Sequence, residues 1–97
     1  MRVTILNNDY KVEEKEIVKF PDNSDECNGI ILYTEQLISI KSGLTQQAKC
    51  RVLLHETLHA ISNELCLDFN EDMIRRLEIG LTNCDFIKIE YPKDKEE

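Results

Sequence analysis

The sequence predicts an α+β domain: a small antiparallel sheet of two N-terminal hairpins, packed on two antiparallel helices. Short β-prone runs fall before residue 43, and stretches with helical spacing fall after residue 45. The chain's 97 residues suit one domain, since domains typically hold about 100–200. Strands first and helices second point to α+β rather than to alternating α/β.

Val3 to Leu6 is β-prone, and Asn7-Asn8-Asp9 supplies turn chemistry before Tyr10-Lys11-Val12, which predicts the first hairpin. Glu13 to Glu16 reads as a solvated strand end, and Pro21 to Asp25 is the clearest loop signal. Gly29 to Thr34 and Leu37 to Ile40 predict a second hairpin joined at Glu35-Gln36. Ser42-Gly43 closes the β half, and Thr45 is a suitable N-cap. From Gln46 to about Cys66 no Pro or Gly intervenes, and Leu54, Leu58, Ile61 and Leu65 recur at helix spacing. These four leucine and isoleucine positions are the expected core stripe. Asn70 caps a second helix to about Thr82, with Ile74, Leu77 and Leu81 on one face. Cys84 to Tyr91 alternates like a strand but also suits an extended tail. Residues 1–92 form the expected domain, and 93–97 a disordered charged tail.

Lys plus Arg total 12 against 19 Asp plus Glu, a net charge of −7. An acidic surface repels phosphate backbones and anionic lipid, which argues against nucleic acid or a membrane surface as partner. The start lacks the apolar stretch of a signal peptide, and no apolar run approaches the roughly 18–20 residues of a membrane span. A cytoplasmic protein is expected. Cys27, Cys50, Cys66 and Cys84 include no close pair, so neither a disulfide framework nor a zinc knuckle is indicated. Oligomeric state is not written in the sequence.

One motif carries chemistry: His55-Glu56-Thr57-Leu58-His59, an H-E-x-x-H inside the first helix. Histidines at i and i+4 share a helix face, so both imidazoles can reach one Zn²⁺ at about 2.0–2.1 Å. Glu56 is turned about 100° from His55, able to reach a metal-bound water and act as general base. With only two histidines in the chain, chance gives this arrangement on the order of 0.2% of the time. The helical wheel sets His55 and His59 on a face with Val52, Ser62 and Cys66, and Glu56 at a cleft edge beyond them.

A catalytic zinc site needs a third protein ligand. The continuation H-E-x-x-H-x-x-G-x-x-H fails at Ser62 and Leu65. In an antiparallel helix hairpin turning near Asp68, Glu78 returns to the level of His59, which makes it the first candidate. Glu71 is the second, with a competing role at the helix N-terminus; Asp72, Cys84 or no third ligand at all are the remaining alternatives. Tyr33, Tyr91 and Arg75 are the candidates for stabilising an oxyanion.

The spacing H-E-x-x-H-(x18)-E resembles the gluzincin metallopeptidases. Val52 to Ile61, followed by Asp72 to Leu81, looks like the small H-E-x-x-H proteins of phages and prophages, minimal relatives of the ImmA/IrrE family. Gly29 to Ser42 resembles the two strands such proteins place before the active-site helix. The resemblance implies a minimal zincin fold, Zn²⁺ on His55 and His59 with a carboxylate such as Glu78, and Glu56 as catalytic base. It also implies peptide-bond hydrolysis in a host or phage regulatory protein. The E-x-x-A-N-type helix of that family is absent here. The other reading is a degenerate zincin, a zinc-stabilised binding module that inhibits a protein partner.

Overall fold

The computed structural model describes residues 1–22 and 25–92. The predicted tail, 93–97, and part of the predicted loop at Asn23-Ser24 lie outside them. The elements are β1 (Arg2–Ile5), β2 (Asn8–Lys15), β3 (Gly29–Leu32), β4 (Leu37–Lys41), α1 (Gln46–Glu64) and α2 (Glu71–Thr82). The molecule is a small α+β fold with one four-stranded sheet and two helices. No helix among the described residues is long and apolar enough to cross a membrane.

Both hairpins form, but the sheet is mixed. Its order is β1-β2-β4-β3, and β2 pairs with β4 in parallel, Val12 beside Ile38. This corrects the expectation of an antiparallel sheet. The connection after β2 sets β3 one strand-width beyond its neighbour, and β4 returns through the gap in the direction of β2. Alternation of apolar residues reports which face is buried and says nothing of strand direction.

The first turn is Leu6-Asn7, with φ of 50° and 69°, and Asn8 already belongs to β2. Two successive positive φ values match the twist of a two-residue hairpin, where asparagine is at ease and leucine is strained. In the second turn Gln36 takes the positive φ, 52°, and its N–H donates to the Tyr33 carbonyl at 3.2 Å. The connection is pinned by a bridge between Lys19 and Glu26.

Tyr10, Val12, Ile38 and Ile40 line one sheet face and form the core with Ile5 and with Leu53 and Ala60 of α1. The buried positions of α1 are Leu53, Glu56, Leu58, Ala60 and Ser62. The predicted stripe is therefore corrected: of its four members only Leu58 is buried, and Leu65 is 54% exposed. A helix apolar on most of its circumference, with the sheet on one side and α2 on another, offers no single stripe to read.

Both predicted N-caps are present. Thr45 Oγ1 accepts from the Ala48 N–H at 3.1 Å, and Asn70 Oδ1 from the Met73 N–H at 2.9 Å. The end of α1 comes two residues before the predicted Cys66. There the Leu67 N–H donates to the Ser62 carbonyl at 2.9 Å, and Cys66 takes φ 55° in a Schellman-type stop. Residues 84–92 form no strand. They begin with a turn at Asp85-Phe86, closed by the Ile87 N–H donating to the Cys84 carbonyl at 3.1 Å, and are then held by Cys50 Sγ donating to the Ile89 carbonyl and by Tyr91 donating to Glu14 Oε2.

Gly29 sets how closely β3 approaches α1. A Cβ there would stand 2.4 Å from Val52 Cγ1 and 3.6 Å from Glu56 Oε2. Gly29→Ala must separate strand and helix, and we expect a loss of about 1–3 kcal/mol in urea denaturation, as for other overpacked contacts. Adding Val52→Ala should recover most of it. Equal stability of Gly29→Ala and the parent chain would contradict this packing.

Candidate metal site

His55 and His59 stand one turn apart near the middle of α1, ring centroids 5.0 Å apart and edge to face at 65°. The loop from Leu65 to Asn70 turns the chain so that α2 runs back along this face. One carboxylate then meets both rings. Glu71 Oε2 lies 2.8 Å from His55 Nε2, and Glu71 Oε1 lies 3.0 Å from His59 Nε2. On the other side of the His55 ring, Glu78 Oε1 lies 2.9 Å from Nδ1.

Among the described residues, His55, His59 and Glu71 are the group that could hold a metal ion, their donor atoms within 4.8 Å of one another. Glu78, the first candidate from the sequence, sits behind His55 on the ring nitrogen that faces away from Glu71. The other candidates are engaged elsewhere: Asp72 pairs with Arg76 at 3.0 Å, and the Cys84 thiol donates to the Gly80 carbonyl.

The donor set fits a divalent cation on chemical grounds. Both nitrogens of His55 face carboxylate oxygens, and an imidazole donates from both only as the imidazolium. The space between Nε2 and Glu71 suits a cation as well as a hydrogen bond. With Nδ1–H donated to Glu78, the Nε2 lone pair is free for an ion. Ligand atoms about 2.0–2.1 Å from a tetrahedral zinc are roughly 3.3 Å apart. The contacts of 2.8 and 3.0 Å need to open by only a few tenths of an ångström.

Electrostatics separates Glu56 from Glu71. Glu56 is 7% exposed, and burial pushes its carboxyl up to about 7; His55 pulls it down, while Glu71 and Glu78 push it up further. Burial also raises Glu71, but the charges of His55 and His59 and their hydrogen bonds outweigh it and hold that carboxyl below its ordinary value. The sequence placed Glu56 at a cleft edge; it does line the cleft, but tucked beneath Gly29.

The cleft, of about 610 Å³, runs between β3 and the two helices and contains the two histidines with Glu56, Glu71 and Glu78. Of the three oxyanion candidates, Tyr33 and Arg75 line it, while Tyr91 lines hollows elsewhere and reaches Glu14. Burial raises the Tyr33 phenol, with Glu56 adding to the effect. Sequence reasoning missed Gly29, Cys27 and Arg51 as cleft residues. A glycine opening a β-run signals close backbone approach and is a usable sign; Arg51, four positions before His55, is marked by helix spacing, and nothing marks Cys27.

No family model, curated protein or solved structure matches this chain.

Proposed function

We propose that this chain is a small zinc-dependent metallopeptidase of the H-E-x-x-H type, holding its ion on His55, His59 and Glu71. The observation that carries the proposal is the single Glu71 carboxylate turned to both Nε2 atoms, with Glu78 fixing His55 from behind. Zinc, when bound, supplies Lewis acidity and lowers the pKa of a coordinated water to about 7.

The protein's own residues have distinct tasks. Glu78 accepts a hydrogen bond from Nδ1–H and so fixes the tautomer and orientation of His55. Glu56, with a carboxyl pushed up to about 7, is poised to take a proton near neutral pH and return it to a leaving amine. The outer edge of β3 borders the cleft and suits an extended peptide added as a further strand. Tyr33 and Arg75 are the donors available to a developing oxyanion. The substrate in this reading is a protein or peptide, and the phage-protein resemblance points to a host or phage regulatory protein in the cytoplasm.

Cleavage of a quenched-fluorescence peptide library by zinc-loaded protein tests the proposal. Glu56→Gln should keep the zinc and lower hydrolysis by about 10²–10⁴-fold, the range for loss of a general base. His55→Ala should lose both metal and cleavage. Unchanged hydrolysis in Glu56→Gln contradicts the mechanism. Zinc bound by a parent chain that cleaves nothing favours the binding-module reading instead.

A further inference from the structure

In a chain of net charge −7, one part of the cleft wall carries cations. Arg51 precedes His55 by four positions, which sets it on the histidine face one turn nearer the start of α1, about 6 Å along the axis. Arg75 borders the same cleft from α2. Arg51 also lines a second hollow, of about 640 Å³, under the C-terminal segment, where Lys88 joins it and Glu90 is the acidic lining residue.

Position and pairing together set these cations apart, since Lys19 and Lys41 also meet no carboxylate within 4.0 Å among the described residues but do not line the cleft. Arg2, Lys15, Lys49 and Arg76 each meet a carboxylate at 2.9–3.0 Å. Arg75 approaches Glu71 only to 3.8 Å, with its side chain 68% exposed. Arg51 and Lys88 meet no carboxylate within 4.0 Å among the described residues. A guanidinium without a partner in a cleft attracts anions, and its planar fork matches a carboxylate with two parallel hydrogen bonds. Glu56, Glu71 and Glu78 line the same cleft, so the attraction for an anion is local to its arginine end.

We propose that Arg51 forms a carboxylate subsite, so that the peptide taken by this cleft carries a negative group about one helical turn from the metal cluster. The proposal rests on the metallopeptidase reading for its ligand, a peptide, but the subsite itself needs no ion. The carboxylate is either an Asp or Glu side chain or a free C-terminus.

The test is an NMR titration of the full chain, metal-free and zinc-loaded, with three alanine-rich pentapeptides blocked at the N-terminus. One carries a central Glu and a C-terminal amide, one a central Gln and an amide, and one a central Gln and a free carboxylate. At least one acidic peptide should bind roughly 5-fold tighter than the neutral one, an exposed-ion-pair effect that shrinks with added salt. Arg51→Gln should bring that ratio close to one, and Arg51→Lys should retain part of it. Whichever acidic peptide binds tighter identifies the source of the carboxylate. Equal binding of all three peptides, or a preference untouched by Arg51→Gln, overturns the proposal. Zinc uptake read on the same samples keeps the two ideas separate: preference without zinc uptake sinks the metallopeptidase reading alone, and zinc uptake without preference sinks the subsite alone.

Discussion

Glu71→Gln should weaken zinc binding by about 100–1,000-fold, and Glu78→Gln by only about 10–100-fold. The first figure follows from spreading the roughly 10–16 kcal/mol of a four-ligand zinc site over its ligands, about 3–4 kcal/mol each. The second is the usual effect of removing the hydrogen-bond partner of a ligating histidine. The order is the informative part. Glu71 faces both Nε2 atoms, whereas Glu78 touches the Nδ1 of one ring. If Glu78 were the ligand and Glu71 a partner, the order would reverse. Competition with a chromophoric chelator at fixed pH measures both affinities. Equal and small losses in the two variants would mean that neither carboxylate meets the ion.

The second large effect concerns Glu56 and stability without metal. Its carboxyl is raised from the ordinary 4.5 to about 7 in the folded chain, so the folded state binds the proton more tightly than the unfolded one. The stability linked to this proton is fully present below pH 4.5 and is lost as pH rises through about 7. At about 1.36 kcal/mol per pH unit, the loss across that interval is on the order of 3 kcal/mol. Glu71 works in the opposite sense, since a carboxyl held low adds stability above the unfolded pKa and loses it as pH falls. The comparison that isolates Glu56 is therefore the parent chain against Glu56→Gln, both in EDTA, by urea denaturation at pH 5 and pH 8. Glutamine keeps the shape and cannot ionise. The variant should gain on the parent as pH rises and be the more stable of the two at pH 8. Parallel pH profiles would show that the Glu56 carboxyl is not held in a desolvated place.

Local signals in the chain were read well because their causes are local. Thr45 and Asn70 cap helices through side-chain oxygens that bond three residues ahead, a property of a few adjacent residues. The facing of His55 and His59 follows from helix pitch alone. The two hairpins likewise follow from alternation and turn residues.

Features set by distant packing were not legible. The parallel pairing of β2 with β4 depends on where the connection drops β3. The burial of Glu56 depends on Gly29, 27 positions earlier in the chain, letting an edge strand close over it. The choice between Glu71 and Glu78 depended on where the helix hairpin turns. A pivot at Asp68 sets Glu78 level with His59. The contacts of His55 and His59 with Glu71, and of His55 with Glu78, centre the turn between residues 63 and 67 instead. Cys66 and Asp68, with φ of 55° and 59°, stop α1 early and swing the chain back sooner than counting at 1.5 Å per residue allows. A shift of a few residues in that turn decides which carboxylate faces both imidazoles and which meets a single ring nitrogen.

Diffraction at the zinc absorption edge, from crystals of the zinc-soaked protein, is the most direct measurement of the centre. An anomalous difference map should show one strong peak per chain, about 2.0–2.1 Å from His55 Nε2, His59 Nε2 and a Glu71 oxygen, with Glu78 still on His55 Nδ1. A map with no peak between the two imidazoles, or a peak bound through Glu78 and not Glu71, would contradict it.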